Sequence, residues 1–161
     1  MFEALERVSA AEAGAALDWK GVDPVVGIVI AEMHADAIEF EGQTYHIFAA
    51  RVFPRKQDGG QPYVTPHLHK VGCEPYFFLD EGGEMHAGNL SADGATCIWQ
   101  APVRTESRVR LLIRKNEVHS FRNVSERPSD FLFACPRAHL IDHSPEHPEG
   151  DRYIVDFPGG N

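Results

Sequence analysis

From Pro24 onward the sequence is a succession of short β-branched and aromatic runs, broken about every ten residues by turn residues, and this rhythm most constrains the fold. It is the pattern of an all-β sandwich or barrel. The predicted strands are Val25 to Ala31, Ala37 to Phe40, Tyr45 to Phe53, Tyr63 to His69, Pro75 to Leu79, Gly83 to Ala87, Ala95 to Gln100, Val109 to Arg114, Val118 to Asn123, Phe131 to Cys135 and Tyr153 to Phe157. Between them, Glu41-Gly42, Asp58-Gly59-Gly60, Glu81-Gly82-Gly83 and Asp93-Gly94 supply the positive φ that tight turns require. Ahead of this region the chain is Ala- and Glu-rich, with Leu5, Val8 and Leu17 loosely at helical intervals, so a helix or two should pack against something larger. The expected organisation is a helical extension over residues 1–22 and one β-domain over 23–161, a size suited to a single core.

Charge and texture exclude several roles. Fifteen Lys and Arg against 24 Asp and Glu leave a net charge of −9, which repels phosphate backbones and anionic lipid surfaces, so neither nucleic acid nor membrane is an expected partner. The longest apolar run, Pro24 to Ala31, falls far short of the roughly 20 residues of a membrane span. Glu3, Glu6, Arg7 and Glu12 stand where a signal peptide needs a basic start and an apolar stretch, so a cytoplasmic location is expected. Three Cys without a CxxC pair argue for reduced thiols rather than a disulfide framework or a thiolate zinc site.

The chemistry lies in the histidines. Strand alternation over Tyr63-Val64-Thr65-Pro66-His67-Leu68-His69 puts both imidazoles on one face with Tyr63 and Thr65. After the turn Lys70-Val71-Gly72-Cys73, Glu74 opens a strand whose Tyr76 and Phe78 share its face, and a hairpin would set the carboxylate beside both His. Downstream, Glu117-Val118-His119-Ser120-Phe121-Arg122-Asn123 offers a third His with Phe121 and Asn123 on its face. Three imidazoles and a carboxylate suit a divalent first-row transition metal with positions left open for other ligands.

These stretches resemble the two motifs of the cupin superfamily: His67-Leu68-His69, four residues, Glu74, then Asp80-Glu81-Gly82-Gly83; and Arg114 to Asn123 for the second. The resemblance covers roughly residues 45 to 135. It implies a cupin-type double-stranded β-helix, or jelly-roll barrel, with metal ligands His67, His69, Glu74 and His119. It implies one divalent metal, iron, manganese, nickel, cobalt or zinc. It also implies a metal-dependent enzyme, dioxygenase- or oxidoreductase-like, acting on a small organic molecule inside the barrel. Thr65 to His69 and Glu74-Pro75-Tyr76 also resemble cupin-type sugar-phosphate isomerases, which keeps an isomerase, epimerase or lyase as an alternative. A non-catalytic sensing module is a third reading. The sequence departs from the motifs at turns only. Gln61 stands where a Gly is expected, Gly82 comes one residue late, Arg114 replaces Pro, and Asn116 replaces Gly, a position where Asn tolerates the left-handed conformation.

Tyr63, Thr65, Tyr76, Phe121 and Asn123, as face-mates of the ligands, should line the barrel, either orienting a substrate or packing as core. No catalytic residue beyond the ligands is identified. Cys73 should point away from the metal. Arg108, Arg110 and Arg114 share a strand face that suits an anion or, more simply, solvent. His139, His143 and His147 recur every four residues, but Pro145 and Pro148 interrupt any helix, which favours a surface loop near the barrel mouth or a dimer contact. His34, His46 and His86 have no partner that the sequence identifies. The family resemblance implies a homodimer, with Pro24 to Ala31 as its partner strand.

Overall fold

A computed structural model of the chain describes residues 1–8, 10–17, 27–54 and 63–155. Two short helices, α1 (Phe2–Arg7) and α2 (Ala10–Ala16), precede twelve strands. These are β1 (Ile28–Glu32), β2 (Ile38–Phe40), β3 (Gln43–Val52), β4 (His67–Leu68), β5 (Glu74–Phe78), β6 (Gly83–Leu90), β7 (Cys97–Trp99), β8 (Val103–Arg104), β9 (Arg110–Ile113), β10 (Glu117–Asn123), β11 (Ser129–Cys135) and β12 (Tyr153–Ile154). They form two six-stranded antiparallel sheets. One runs β1-β3-β11-β5-β9, with β2 also on β3; the other runs β12-β4-β10-β6-β7, with β8 also on β6.

From β3 to β6 the chain crosses from one sheet to the other at every step, and it does so again from β9 to β12. That alternation is the winding of a double-stranded β-helix, so the all-β jelly-roll expectation holds. It also corrects one expectation. The segment containing His67 and His69 and the strand that opens at Glu74 are not a hairpin, because β4 pairs with β10 and β12 while β5 pairs with β9 and β11. The turn at Gly82, with φ of +106°, is likewise a crossing between sheets.

The first sheet is buried on both faces, which explains the near-continuous apolar texture of β3, β5 and β11. Phe48, Ala50, Val52, Tyr76, Phe78, Phe131, Phe133 and Cys135 face the other sheet, packing with Met85, Ile113 and Phe121. The alternate residues Tyr45, Ile47, Ala49, Phe77, Leu132 and Ala134 face outward and are covered by Leu5, Val8, Ala13 and Leu17. The N-terminal helices thus form a lid over the outer face, and their loose apolar spacing is enough because they need to bury one stripe only.

Several strand ends differ from the sequence reading. The strand expected over Tyr63 to His69 is regular only at His67–Leu68, with Tyr63 reduced to a single bridge to Arg122. The strand Val103–Arg104 has no counterpart in the reading. Residues 25 and 26, the turn at 58–60, Gln61, and residues 156 and 157 lie outside the described residues. Over Ile28–Glu32 the candidate partner strand is an edge strand paired with β3 of its own chain. Asn116 does adopt the left-handed conformation, with φ of 64°, and its N–H donates to the His69 carbonyl at 2.6 Å. Among the described residues no helix is long and apolar enough to cross a membrane.

Phe121, expected on the ligand face, sits within this core. Its ring lies 5.7 Å from Phe78 and 4.9 Å from Phe131, and 1% of the residue is exposed. The Phe121→Ala variant should lose about 3–5 kcal/mol in urea unfolding. Ile98→Ala, where 65% of the residue is exposed, should stay within about 0.5 kcal/mol of the parent. Equal losses in the two variants would remove Phe121 from the core.

Candidate metal centre

Strand register builds the site. His119 on β10 is the direct cross-strand partner of His67 on β4, and their rings lie 4.2 Å apart. His69, two residues beyond His67, places its ring 4.9 Å from that of His67. Glu74, at the start of β5, arrives from the opposite sheet. His67, His69, Glu74 and His119 are all buried, and each offers a donor atom within 4.8 Å of the others. The four residues read as ligands from the sequence are therefore brought together.

Each imidazole is oriented by a backbone carbonyl. His67 Nδ1 donates to Thr65 O at 2.7 Å, His69 Nδ1 to Asp151 O at 2.8 Å and His119 Nδ1 to Glu117 O at 3.3 Å. A carbonyl only accepts, so Nδ1 carries the proton and in the neutral ring the Nε2 lone pair turns inward, the usual orientation of metal-binding histidines. His69 Nε2 is buried without a hydrogen-bond partner, although it lies 3.3 Å from Glu74 Oε1. A buried lone pair aimed into a cluster of donors is what a cation would satisfy. The donor set thus fits a divalent transition metal.

Glu74 is held at both oxygens. Its Oε1 accepts from His139 Nδ1 at 3.0 Å; its Oε2 accepts from the Tyr76 hydroxyl at 2.6 Å and lies 3.2 Å from His119 Nε2. Burial pushes its carboxyl upward, but the fields and hydrogen bonds of His69, His119 and His139 outweigh this and hold it well below the usual carboxylate range. Burial holds His67 well below the usual imidazole value, with His119 and the guanidinium of Arg152 adding to the effect. Burial likewise lowers His69 to about 4, against the opposing pull of Glu74. Tyr76 is pushed well above its ordinary value by burial and by Glu74. His67 and His69 are thus held toward the neutral form beside an ionised carboxylate, the protonation that metal binding needs.

The second cluster of histidines does not exist as a stripe. His139 lies on a 3-10 turn, Arg137–Leu140, and is 1% exposed, stacked 3.8 Å from His69 with its Nε2 at 2.8 Å from the Val71 carbonyl. Its expected place on a surface loop or dimer contact is thus corrected. His143 is exposed, its Nδ1 donating to Gly150 O at 2.9 Å and its ring stacking on Tyr153, while His147 pairs with Glu149. His46 pairs with Glu32 at 3.1 Å, and His86 lies 3.5 Å from Glu84.

A cavity of about 630 Å³ opens above the cluster. Of the five expected pocket residues, Thr65 and Tyr76 line it. Tyr63 does not: it is 46% exposed, with the Arg122 guanidinium over its ring, because the chain leaves regular strand geometry before His67. Phe121 fills the core beneath, as described. Asn123 also lies away from the cavity, its amide donating to Val52 O and Arg127 O and fixing the turn into β11. Cys73 points away as expected, against the Tyr45 hydroxyl.

Four residues near the site were not read from the sequence. His139 was hidden by its spacing to His143. Cys135, whose thiol burial and Glu74 push well above its ordinary value, lies on the inward face of β11. Asp151 accepts the Lys70 and Val71 N–H groups at 3.1 and 2.9 Å and so pins the crossing from β4 to β5. Arg152 lines the cavity. The signal for Arg152 was strand alternation with Ile154, had the final strand been started one residue earlier.

Comparison with solved structures shows the cupin fold. A cupin-2 domain from Rhodospirillum rubrum has a TM-score of 0.51 at 13% identity, over 83% of this chain and 67% of that one. CapF, a capsular polysaccharide assembling protein of Staphylococcus aureus, has a TM-score of 0.54 at 11% identity, over 80% of this chain and 30% of CapF. CapF with the inhibitor 3-isopropenyl-tropolone gives 0.57 at 12% identity, over 84% and 33%. At such identities the likeness is one of fold. No protein-family model matches the chain. Protein P of hepatitis B virus genotype D is 26% identical over 136 residues, covering 76% of this chain and 17% of the viral protein, which establishes no family.

Protein purified without chelators or a His tag should hold about one equivalent of a first-row transition metal per chain by elemental analysis, as a single set of four donors requires. His67→Ala and His119→Ala should each empty the site, and His147→Ala should leave it full. A chain that takes up none of iron, manganese, nickel, cobalt or zinc would contradict the assignment.

Proposed function

We propose that the protein is a metal-dependent enzyme of the dioxygenase- or oxidoreductase-like class, acting on a small organic molecule in the barrel cavity. One observation carries the reading: His67 and Glu74, two of the four clustered metal donors, line a cavity of about 630 Å³ whose walls are largely apolar, including Ile28, Phe48, Val64, Phe131, Phe133 and Ile154. The volume suits a small organic substrate. The apolar walls exclude water and strengthen every polar contact at the floor. When bound, the metal would supply Lewis-acid chemistry and, as a redox-active ion, one-electron chemistry.

The chain's own residues provide the rest. Thr65 fixes His67 by its carbonyl and presents its side chain to the cavity. Tyr76 holds its hydroxyl proton against Glu74 Oε2 at the boundary between floor and wall. Its proton stays in place at neutral pH, since its acidity is suppressed. A substrate resting on the floor would therefore meet the hydroxyl's lone pairs, its one proton being committed to Glu74.

The sugar-phosphate isomerase alternative needs a cluster of cations as a phosphate clamp, and the Arg-rich stretch does not provide one. Arg110 is hydrogen-bonded to Glu6 of α1, Arg104 lies 3.4 Å from Glu84, and neither Arg108 nor Arg114 lines the cavity. The dioxygenase-like reading is tested by oxygen uptake with the Fe(II)-loaded protein across catechols, diketones and thiols. Uptake should require both the added compound and the metal, and should vanish in His119→Ala. No uptake with any compound would shift the assignment to isomerases and lyases.

A further inference from the structure

Among the described residues that line the cavity, Arg152 is the only Arg or Lys. It stands beside β12 and faces the same space as His67, Glu74 and Tyr76. Its backbone is anchored on both sides: its N–H donates to Ile141 O at 3.1 Å and its carbonyl accepts from His143 N at 2.9 Å. The side chain is 21% exposed and gives one hydrogen bond, Nη1 to Asp142 Oδ1 at 2.6 Å. A guanidinium carries five N–H donors in a rigid fork, so most of its donor capacity stays available to an occupant of the cavity.

We propose that Arg152 is the anchor for a carboxylate on the substrate, which makes the substrate class a small, mainly apolar carboxylic acid. The inference rests on the reading of this cavity as the substrate site and deepens it. Three features define the ligand. The donor cluster at the floor meets one end, the fork of Arg152 meets a planar anion, and Ile28, Phe48, Val64, Phe131, Phe133 and Ile154 call for an apolar body between them. A phosphate dianion fits less well, because no second Lys or Arg among the described residues lines the cavity and Glu32, Glu74 and Asp142 already bring negative charge. Glu32 is itself occupied by Arg137 at 2.8 Å and His46 at 3.1 Å, which leaves Asp142 as the one carboxylate competing for Arg152. Because the Asp142 side chain is 59% exposed, that ion pair is solvent-screened and yields readily to a better-buried carboxylate.

The test is isothermal titration calorimetry with 3-phenylpropionate and its neutral isostere 3-phenylpropionamide, on protein whose metal content is measured in the same batch. The acid should bind about tenfold or more tightly than the amide, the range of a charge-assisted hydrogen bond. Arg152→Gln should abolish the difference, Arg152→Lys should retain part of it, and Asp142→Asn should raise affinity for the acid and not for the amide. Equal affinity for acid and amide in the parent protein, discrimination that survives Arg152→Gln, or no binding of the acid at millimolar concentration overturns the proposal. If Arg152→Gln does not fold, Arg152→Lys and Asp142→Asn decide: acid affinity unchanged in both overturns it. Arg152-dependent binding by protein that holds no metal would support the anchor and defeat the metalloenzyme reading. A full metal complement without acid discrimination would do the reverse.

Discussion

The structure depends on one buried carboxylate. Glu74 is 3% exposed and leaves water as an anion, which on its own would cost several kcal/mol. The fold offsets this with a donor on each oxygen, Tyr76 from its own strand and His139 from the turn after β11, while His69 and His119 of the facing sheet set their Nε2 atoms beside it as co-ligands for a cation. Each partner has a backbone anchor of its own or a neighbour that fixes it. The crossing from β4 to β5 is pinned by Asp151, and Gly72 in that crossing has a φ of +70° with its Cα set against the Tyr45 hydroxyl, where a Cβ would come within 2.5 Å. The loop that separates the imidazole pair from the carboxylate is therefore part of the site.

The position of the cavity follows from the division of side chains along the same strands. Toward one end the inward residues are large and aromatic, and Phe78, Phe121 and Phe131 fill the space between sheets. Toward the other, Glu74 and His119 replace such rings two or more residues along β5 and β10, and the interior is polar at its floor. Aliphatic residues, Ala50 and the rings of Phe48, Phe131 and Phe133 line the walls above. A jelly roll packed with rings throughout would have no room for a ligand. Because the helices cover the outer face of the first sheet, its inner face is free to carry this asymmetry without the whole sheet losing its apolar cover.

Much of this was legible in the sequence, for physical reasons. Period-two alternation and turn residues identify strands because a half-buried sheet demands them, and the three His and Glu74 stand out because their spacing is unusual for packing residues. What alternation cannot report is which sheet a strand joins. The stretch from His67 to Glu74 reads as a hairpin because a short turn separates two strands, yet the partners lie in different sheets and the turn spans the sandwich. Tyr63 was placed on the ligand face by extending strand geometry through Pro66, a residue that cannot donate to a ladder. Pro145 and Pro148 point the His139, His143 and His147 stretch to a surface loop, yet a single 3-10 turn over Arg137–Leu140, ahead of both prolines, aims His139 inward and lets His143 and His147 diverge to the surface. Long-range contacts such as Glu74 to His139 leave no local pattern to read.

The hydrogen bonds around Glu74 also separate two kinds of neighbour. Tyr76 and His139 approach the carboxylate as donors, one at each oxygen, and neither is needed as a ligand in the set of four. His69 and His119 approach with Nε2, the atom each would turn to a cation. A carboxylate oxygen has more than one lone pair, so a donor on each oxygen fixes the plane of the group without consuming its capacity to bind a metal. Removing either donor would leave Glu74 free to rotate, and removing an imidazole would leave the carboxylate fixed but the donor set one ligand short. The arrangement thus assigns orientation to Tyr76 and His139 and cation binding to the Nε2 atoms of His69 and His119, a division that ligand spacing in the sequence could not express.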